Sequence, residues 1–104
     1  MKVIQELCDY IEEEICDAEK YAIRAIECKE SNNPKADTFF RLASDEVGHA
    51  NSLHSLVVSE IESYRKEHGE PPEAMQMLYS ILHKKHIAHM ATVKGLLSLY
   101  RGDK

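Results

Sequence analysis

Basic runs, long apolar runs, glycine-rich loops and paired cysteines are all missing from this sequence. Without a Lys/Arg run, and with 18 acidic residues against 13 basic ones for a net charge of −5, the chain lacks the electrostatic footprint of a phosphate-backbone binder. Nucleic acid is therefore not an expected partner. The longest uncharged stretch, Val47–Ser59, contains His, Asn and Ser and is too short to cross a bilayer, so no membrane partner is expected. The opening residues MKVIQELCDY turn acidic by Glu6 and do not read as a signal peptide. Cys8, Cys16 and Cys28 are an odd count with no C-x-x-C, which points to reduced thiols in a cytoplasmic protein rather than to a disulfide framework. There is no phosphate-cradling loop, no G-x-S-x-G elbow and no zinc-ribbon spacing.

The 104 residues suffice for one domain, read as 1–104, whose core is modest enough that association with further copies is expected. Charge is spread unevenly. Residues 1–52 hold 12 acids and 6 bases, residues 53–104 hold 6 acids and 7 bases, and five of the six His follow position 50.

Only two places break the helical pattern. Ser31-Asn32-Asn33-Pro34 offers Asn33 as an N-cap with Pro34 at the first helical position. His68-Gly69-Glu70-Pro71-Pro72 offers a glycine stop followed by prolines that open the next helix. The fold predicted is all-α: an up-down bundle of three long antiparallel helices over roughly 2–30, 34–67 and 72–100, each about 40–50 Å long. The first helix carries an apolar stripe through Ile4, Leu7, Cys8, Ile11, Ile15, Ala18, Ala22, Ala25 and Ile26. In the second the stripe runs through Phe39, Leu42, Ala43, Val47, Ala50, Leu53, Val57, Ile61 and Tyr64. The third places Ala74, Leu78, Ile81, Leu82, Val93, Leu96, Leu99 and Tyr100 on its core face.

Polar residues that interrupt these stripes carry the information, because a charge or imidazole is costly to bury alone. Glu46 falls near the centre of the second helix's apolar face, and His49 lies three residues on at its edge. Glu-x-x-His on a bundle helix aims a carboxylate and an imidazole at one point, the motif of di-iron carboxylate bundles. The ordinary alternative is a core Glu46 satisfied by a Lys or Tyr. On the first helix Glu14 and Glu19 flank the stripe on opposite sides, each about 70° from its centre, and periodicity does not choose between them. Glu12 and Glu13 point further outward and read as solvated. The third helix is polar in its middle, where Lys85, His86, His89 and Thr92 occupy the core face. His86 and His89, one turn apart, form a ligand pair suited to Fe, Zn or Ni. His83 points largely away and His54 sits on the other edge of the second helix, so both are weaker candidates; His68 is given no role.

Glu14 with Tyr21 seven residues later, followed by Asp45-Glu46-Val47-Gly48-His49-Ala50, resembles the ferritin-like superfamily, in particular its rubrerythrin-type and encapsulated-ferritin-type members. The likeness covers the hairpin from about Glu13 to Leu56. It implies that Glu14, Glu46 and His49 are metal ligands, and it favours Glu14 over Glu19. The implied metal is iron, with Mn, Zn and Ni also suited to the ligand set, and the implied activity is ferroxidase-like oxidation or storage of Fe(II). The chain departs from the family in having three helices and no second Glu/Glu-x-x-His set. The resemblance therefore implies a homodimer or higher homo-oligomer that completes the bundle, or else a single metal with a His-rich shell. The whole chain also resembles small proteins encoded in bacterial phage and prophage genomes. On that side stands the alternative expectation, a non-catalytic helical assembly or adaptor protein with a vestigial metal site.

Overall fold

In a computed structural model that describes residues 2–102, three α-helices account for nearly the whole chain: α1 (Lys2–Cys28), α2 (Asn33–His68) and α3 (Glu73–Arg101). The expected three-helix, all-α architecture is what the described residues form, and no helix among them is long and apolar enough to cross a membrane. The rod they build measures 55 × 19 × 18 Å.

The breaks fall where the turn residues are, with one correction. Asn32, not Asn33, caps α2: its side-chain oxygen accepts from the Lys35 backbone N–H at 3.1 Å. Asn33 is already helical, which moves Pro34 from the first helical position to the second. Both positions suit proline because neither N–H has an intrahelical acceptor. Gly69 ends α2 at φ +78°, a left-handed backbone conformation that favours glycine, and its N–H reaches the Arg65 carbonyl at 2.9 Å. Pro71 and Pro72 then lead into α3, and the Gln76 side chain donates to the Pro71 carbonyl at 2.8 Å.

Packing is centred on α1. Its apolar stripe is buried from Ile4 to Ala25, with Ile26 partly buried and Cys28 buried beyond it, and α1 lies against both other helices, whereas α2 and α3 scarcely meet. Small residues line the α1–α2 seam. Ala18, Ala22 and Ala25 on one side and Ala36, Ala43 and Ala50 on the other are essentially inaccessible, so the two backbones approach closely. Ala36, Ala43, Ala50 and Val57 are spaced by seven, a regular seam down α2. The far end of α3 is fastened to the α1–α2 turn through Tyr100. Its hydroxyl donates to Asp37, its ring stacks on Phe40 with centroids 4.7 Å apart, and its carbonyl accepts from the Lys29 ammonium.

The core face of α3 differs from the expected one. Ala74, Leu78, Ile81 and Leu99 are exposed, while Leu97 joins Val93 and Tyr100 in the buried set and Tyr79 and Met90 pack against the core. Lys85 also faces solvent. The apolar residues of α3 wrap more than one face, and a helix with one close neighbour can bury only the strip facing that neighbour. Leu42 of the expected α2 stripe is likewise exposed. The floor and walls of two clefts, of about 310 and about 340 Å³, come from α1 and from the parted sides of α2 and α3.

Candidate metal centres

Glu14 and Glu19 leave opposite sides of α1, about 140° apart on a helical wheel, and each meets a different helix. On the α2 side, Glu14, Glu46 and His49 converge. His49 Nδ1 stands 3.4 Å from both Glu14 Oε2 and Glu46 Oε1. The three side chains can each turn one donor atom toward a common point. The antiparallel α1–α2 hairpin creates this meeting, because the alanine seam brings the middle of α1 level with the middle of α2.

The electrostatics of the group are those of two carboxylates forced together. Glu46 is pushed up to about 7, first by hydrogen bonding with Glu14, then by burial and by the Glu14 charge, with His49 opposing. Glu14 Oε2 is shielded from water and accepts no hydrogen bond among the described residues. A buried carboxylate oxygen left in this state is destabilising unless a cation or proton serves it. The donor set, two hard carboxylates and one imidazole, suits a first-row divalent ion. The cluster is shielded on its α1–α2 side and open on the other, where the His49 side chain is 61% exposed.

A second group lies on the α3 side, and it contains His86 and His89. His86 Nε2 is 3.4 Å from Glu12 Oε2, His89 Nδ1 is 3.7 Å from Glu12 Oε1, and His89 Nε2 is 2.8 Å from Glu19 Oε2. Cys16 Sγ lies 3.7 Å from Glu12 Oε1. Burial pushes His86 down from the ordinary imidazole range, against the pull of Glu12, and so favours its neutral form. Burial and the nearby Glu12 push the Cys16 thiol up.

The five principal candidates thus do not gather at one point. Glu14, Glu46 and His49 meet at the α1–α2 seam, whereas His86 and His89 meet Glu12, Cys16 and Glu19 at the α1–α3 seam. Glu12, read as solvated, in fact bridges toward two imidazoles; a long side chain about 100° off the stripe still reaches a helix packed on that flank. The signal for it was present. Glu12, Cys16 and Glu19 fall at i, i+4 and i+7, one face of α1.

His83 does not point away from the fold. Its ring stacks on His54, centroids 5.0 Å apart, and on Tyr79 at 5.6 Å, bridging the parted helices α2 and α3. His54 Nε2 is shielded from water without a hydrogen-bond partner, and burial holds this imidazole below its usual range. His54 and His83 line the cleft of about 340 Å³ next to His86 of the α1–α3 group, without joining the donor atoms that converge there.

No protein-family profile, curated protein or solved structure matches the chain.

Proposed function

We propose that the protein is a ferritin-like metal-binding protein that takes a first-row ion, iron foremost, at Glu14, Glu46 and His49. The observation that carries this reading is the half-buried carboxylate pair. Glu46 holds its proton up to about pH 7 beside Glu14, whose Oε2 has no hydrogen-bond partner among the described residues, and a divalent ion would replace that proton and serve both oxygens. Ions of this class supply Lewis acidity and, for iron, electron transfer at an open coordination position. The chain's own residues position the donors: α1 presents Glu14, one helical turn separates Glu46 from His49, and the alanine seam fixes their separation.

The same group is half of a familiar arrangement. Di-iron carboxylate bundles use a Glu from each of two helices and a Glu-x-x-His from each of two others. The α1–α2 hairpin supplies one of each. A two-fold axis through a second copy would supply the rest. Exposed apolar residues at helical spacing from the cluster support that docking. Leu42, His49 and Leu56 follow one another at seven-residue spacing on α2, with Leu56 52% exposed, and Tyr10 on α1, one turn before Glu14, is 49% exposed. Exposed apolar residues gathered on one side of a small domain mark an interaction surface.

Elemental analysis after loading with Fe(II), paired with a solution mass from light scattering, tests the proposal. The expected result is a dimer that retains iron, with Glu46→Ala or His49→Ala removing it. A monomer with no retained iron, or iron retained equally by both variants, would overturn it.

A second reading is supported by α3, where Met77, Ile81 and Leu99 are among the most exposed large apolar residues and share the helix's outer side. Under it the protein is a helical adaptor joined to a partner through that side. Its mark would be full partner binding by the Glu46→Ala variant.

A further inference from the structure

We infer that the α1–α3 seam is a second, chemically different metal site, in which Glu12, Cys16 and His89 bind a borderline-soft divalent ion, zinc above the others. The distances have the right scale. Glu12 Oε1 lies 3.7 Å from Cys16 Sγ and 3.7 Å from His89 Nδ1, and the three donor atoms are all within 4.8 Å of one another. Tetrahedral zinc, with bonds of about 2.0–2.3 Å, separates its ligand atoms by about 3.3–3.8 Å. The Cys16 thiol donates to Glu12 Oε1 across the first of these separations, whereas the second, between nitrogen and oxygen, is too long for a hydrogen bond, so no shared proton accounts for it.

The orientation of His89 supplies the second argument. A carboxylate oxygen only accepts, so the nitrogen 2.8 Å from Glu19 Oε2, Nε2, carries the ring proton. In the neutral ring Nδ1 is then a bare lone pair, and it faces Glu12 Oε1 and Cys16. Nδ1 and Glu12 Oε1, two acceptors, thus stand 3.7 Å apart, and a cation that displaced the Cys16 proton would serve both of them and the thiolate. A carboxylate holding the far N–H of a ligating imidazole is the outer-shell arrangement of zinc sites, setting the tautomer and strengthening the ligand. Glu19 is thus a positioning residue. His86, whose side chain is 10% exposed, plays the corresponding part for Glu12 through Nε2 at 3.4 Å from Oε2.

Ligand chemistry separates the two seams. The α1–α2 group has only oxygen and nitrogen donors, whereas Cys16 adds a thiolate once its proton leaves to solvent on metal binding. With three protein ligands, the fourth position stays open to water or a small anion. A site of that composition on the flank of α1 does not depend on the α1–α2 cluster or on any dimer.

Cobalt(II) is the test probe, because thiolate ligation gives it a sulfur-to-metal charge-transfer band that oxygen and nitrogen ligands do not. The full-length protein, titrated with cobalt and then with zinc in competition, is expected to show the band and to lose it as zinc displaces cobalt. Cys16→Ser is expected to abolish the band and weaken zinc binding by at least about 100-fold, with Cys8 and Cys28 still present. Glu19→Gln should keep the band and weaken binding about 10–100-fold. Glu46→Gln should leave band and affinity unchanged, which separates this site from the α1–α2 cluster. Circular dichroism establishes that each variant is folded. Absence of the band in the wild-type protein, or its persistence in folded Cys16→Ser, would overturn the inference.

Discussion

Glu14 and Glu19, five residues apart on α1, serve different helices: Glu14 Oε2 stands 3.4 Å from His49 of α2, and Glu19 Oε2 accepts from His89 of α3 at 2.8 Å. One helix therefore divides its carboxylates between two seams, and the groups at each can be tested separately.

The Glu46–Glu14 pair makes metal-free stability depend on pH. Glu46 is raised from 4.5 to about 7 in the folded chain, so the native state binds the proton more tightly than the unfolded chain does. Stability from this group therefore declines as pH rises between about 4.5 and about 7 and stays low above that. Glu46→Gln should remove the decline and stabilise the metal-free protein at neutral pH by roughly 1–2 kcal/mol. Urea unfolding of both proteins across this range checks it, and equal slopes would count against the carboxylate pair.

Tyr100 provides a second pH mark, at the opposite end of the scale. Its hydroxyl is pushed up to about 12, chiefly by donating to Asp37. The stability from that bond is complete below the ordinary tyrosine value and is lost as pH climbs toward about 12. Tyr100→Phe should cost about 1 kcal/mol at neutral pH, seen as a fall in Tm of several degrees.

The alanine seam has no room for larger side chains. Ala43 and Ala22 are both fully inaccessible at the α1–α2 contact, so Ala43→Leu must push the helices apart. A loss of roughly 1–3 kcal/mol is expected, together with weaker metal binding at Glu14, Glu46 and His49. Thermal unfolding with iron titration measures both effects, and a stable variant with unchanged affinity would show that the seam does not set the ligand spacing.

If a second copy docks over the α1–α2 cluster, charge placed among the exposed apolar residues on that side should prevent it. Leu56→Lys adds an exposed charge to a residue that is already solvent-facing. The folded monomer should keep its helicity and Tm within a few degrees while the mass measured by light scattering falls by about half.

Much of the fold was legible because its signals are local. Gly69 with Pro71-Pro72 stops one helix and admits the next whatever surrounds them, and α1's apolar period matches its buried face from Ile4 to Ala25. Asn32 took the cap that Asn33 was expected to take, since both residues suit it and only the backbone geometry selects one. For α3 the periodicity was less informative: Ile81 and Leu99 continue an apolar pattern but face solvent, because burial depends on which neighbour is present. The candidate site followed the same division. The meeting of Glu14 with Glu46 and His49 follows from hairpin register. The separate role of Glu19 with His89 depends on α3 occupying α1's other flank, and periodicity about one axis cannot say which helix lies on which side.

Because α1 holds both neighbours while α2 and α3 scarcely meet, the rod should open in a fixed order. Separating α3 exposes one seam and the Tyr100 fastening but leaves the alanine-lined hairpin whole; separating α2 dismantles most of the buried core. Amide hydrogens of α3 should accordingly exchange with solvent well before those of α1 and α2, a graded release in which the thiol-bearing seam comes apart while the paired carboxylates stay side by side.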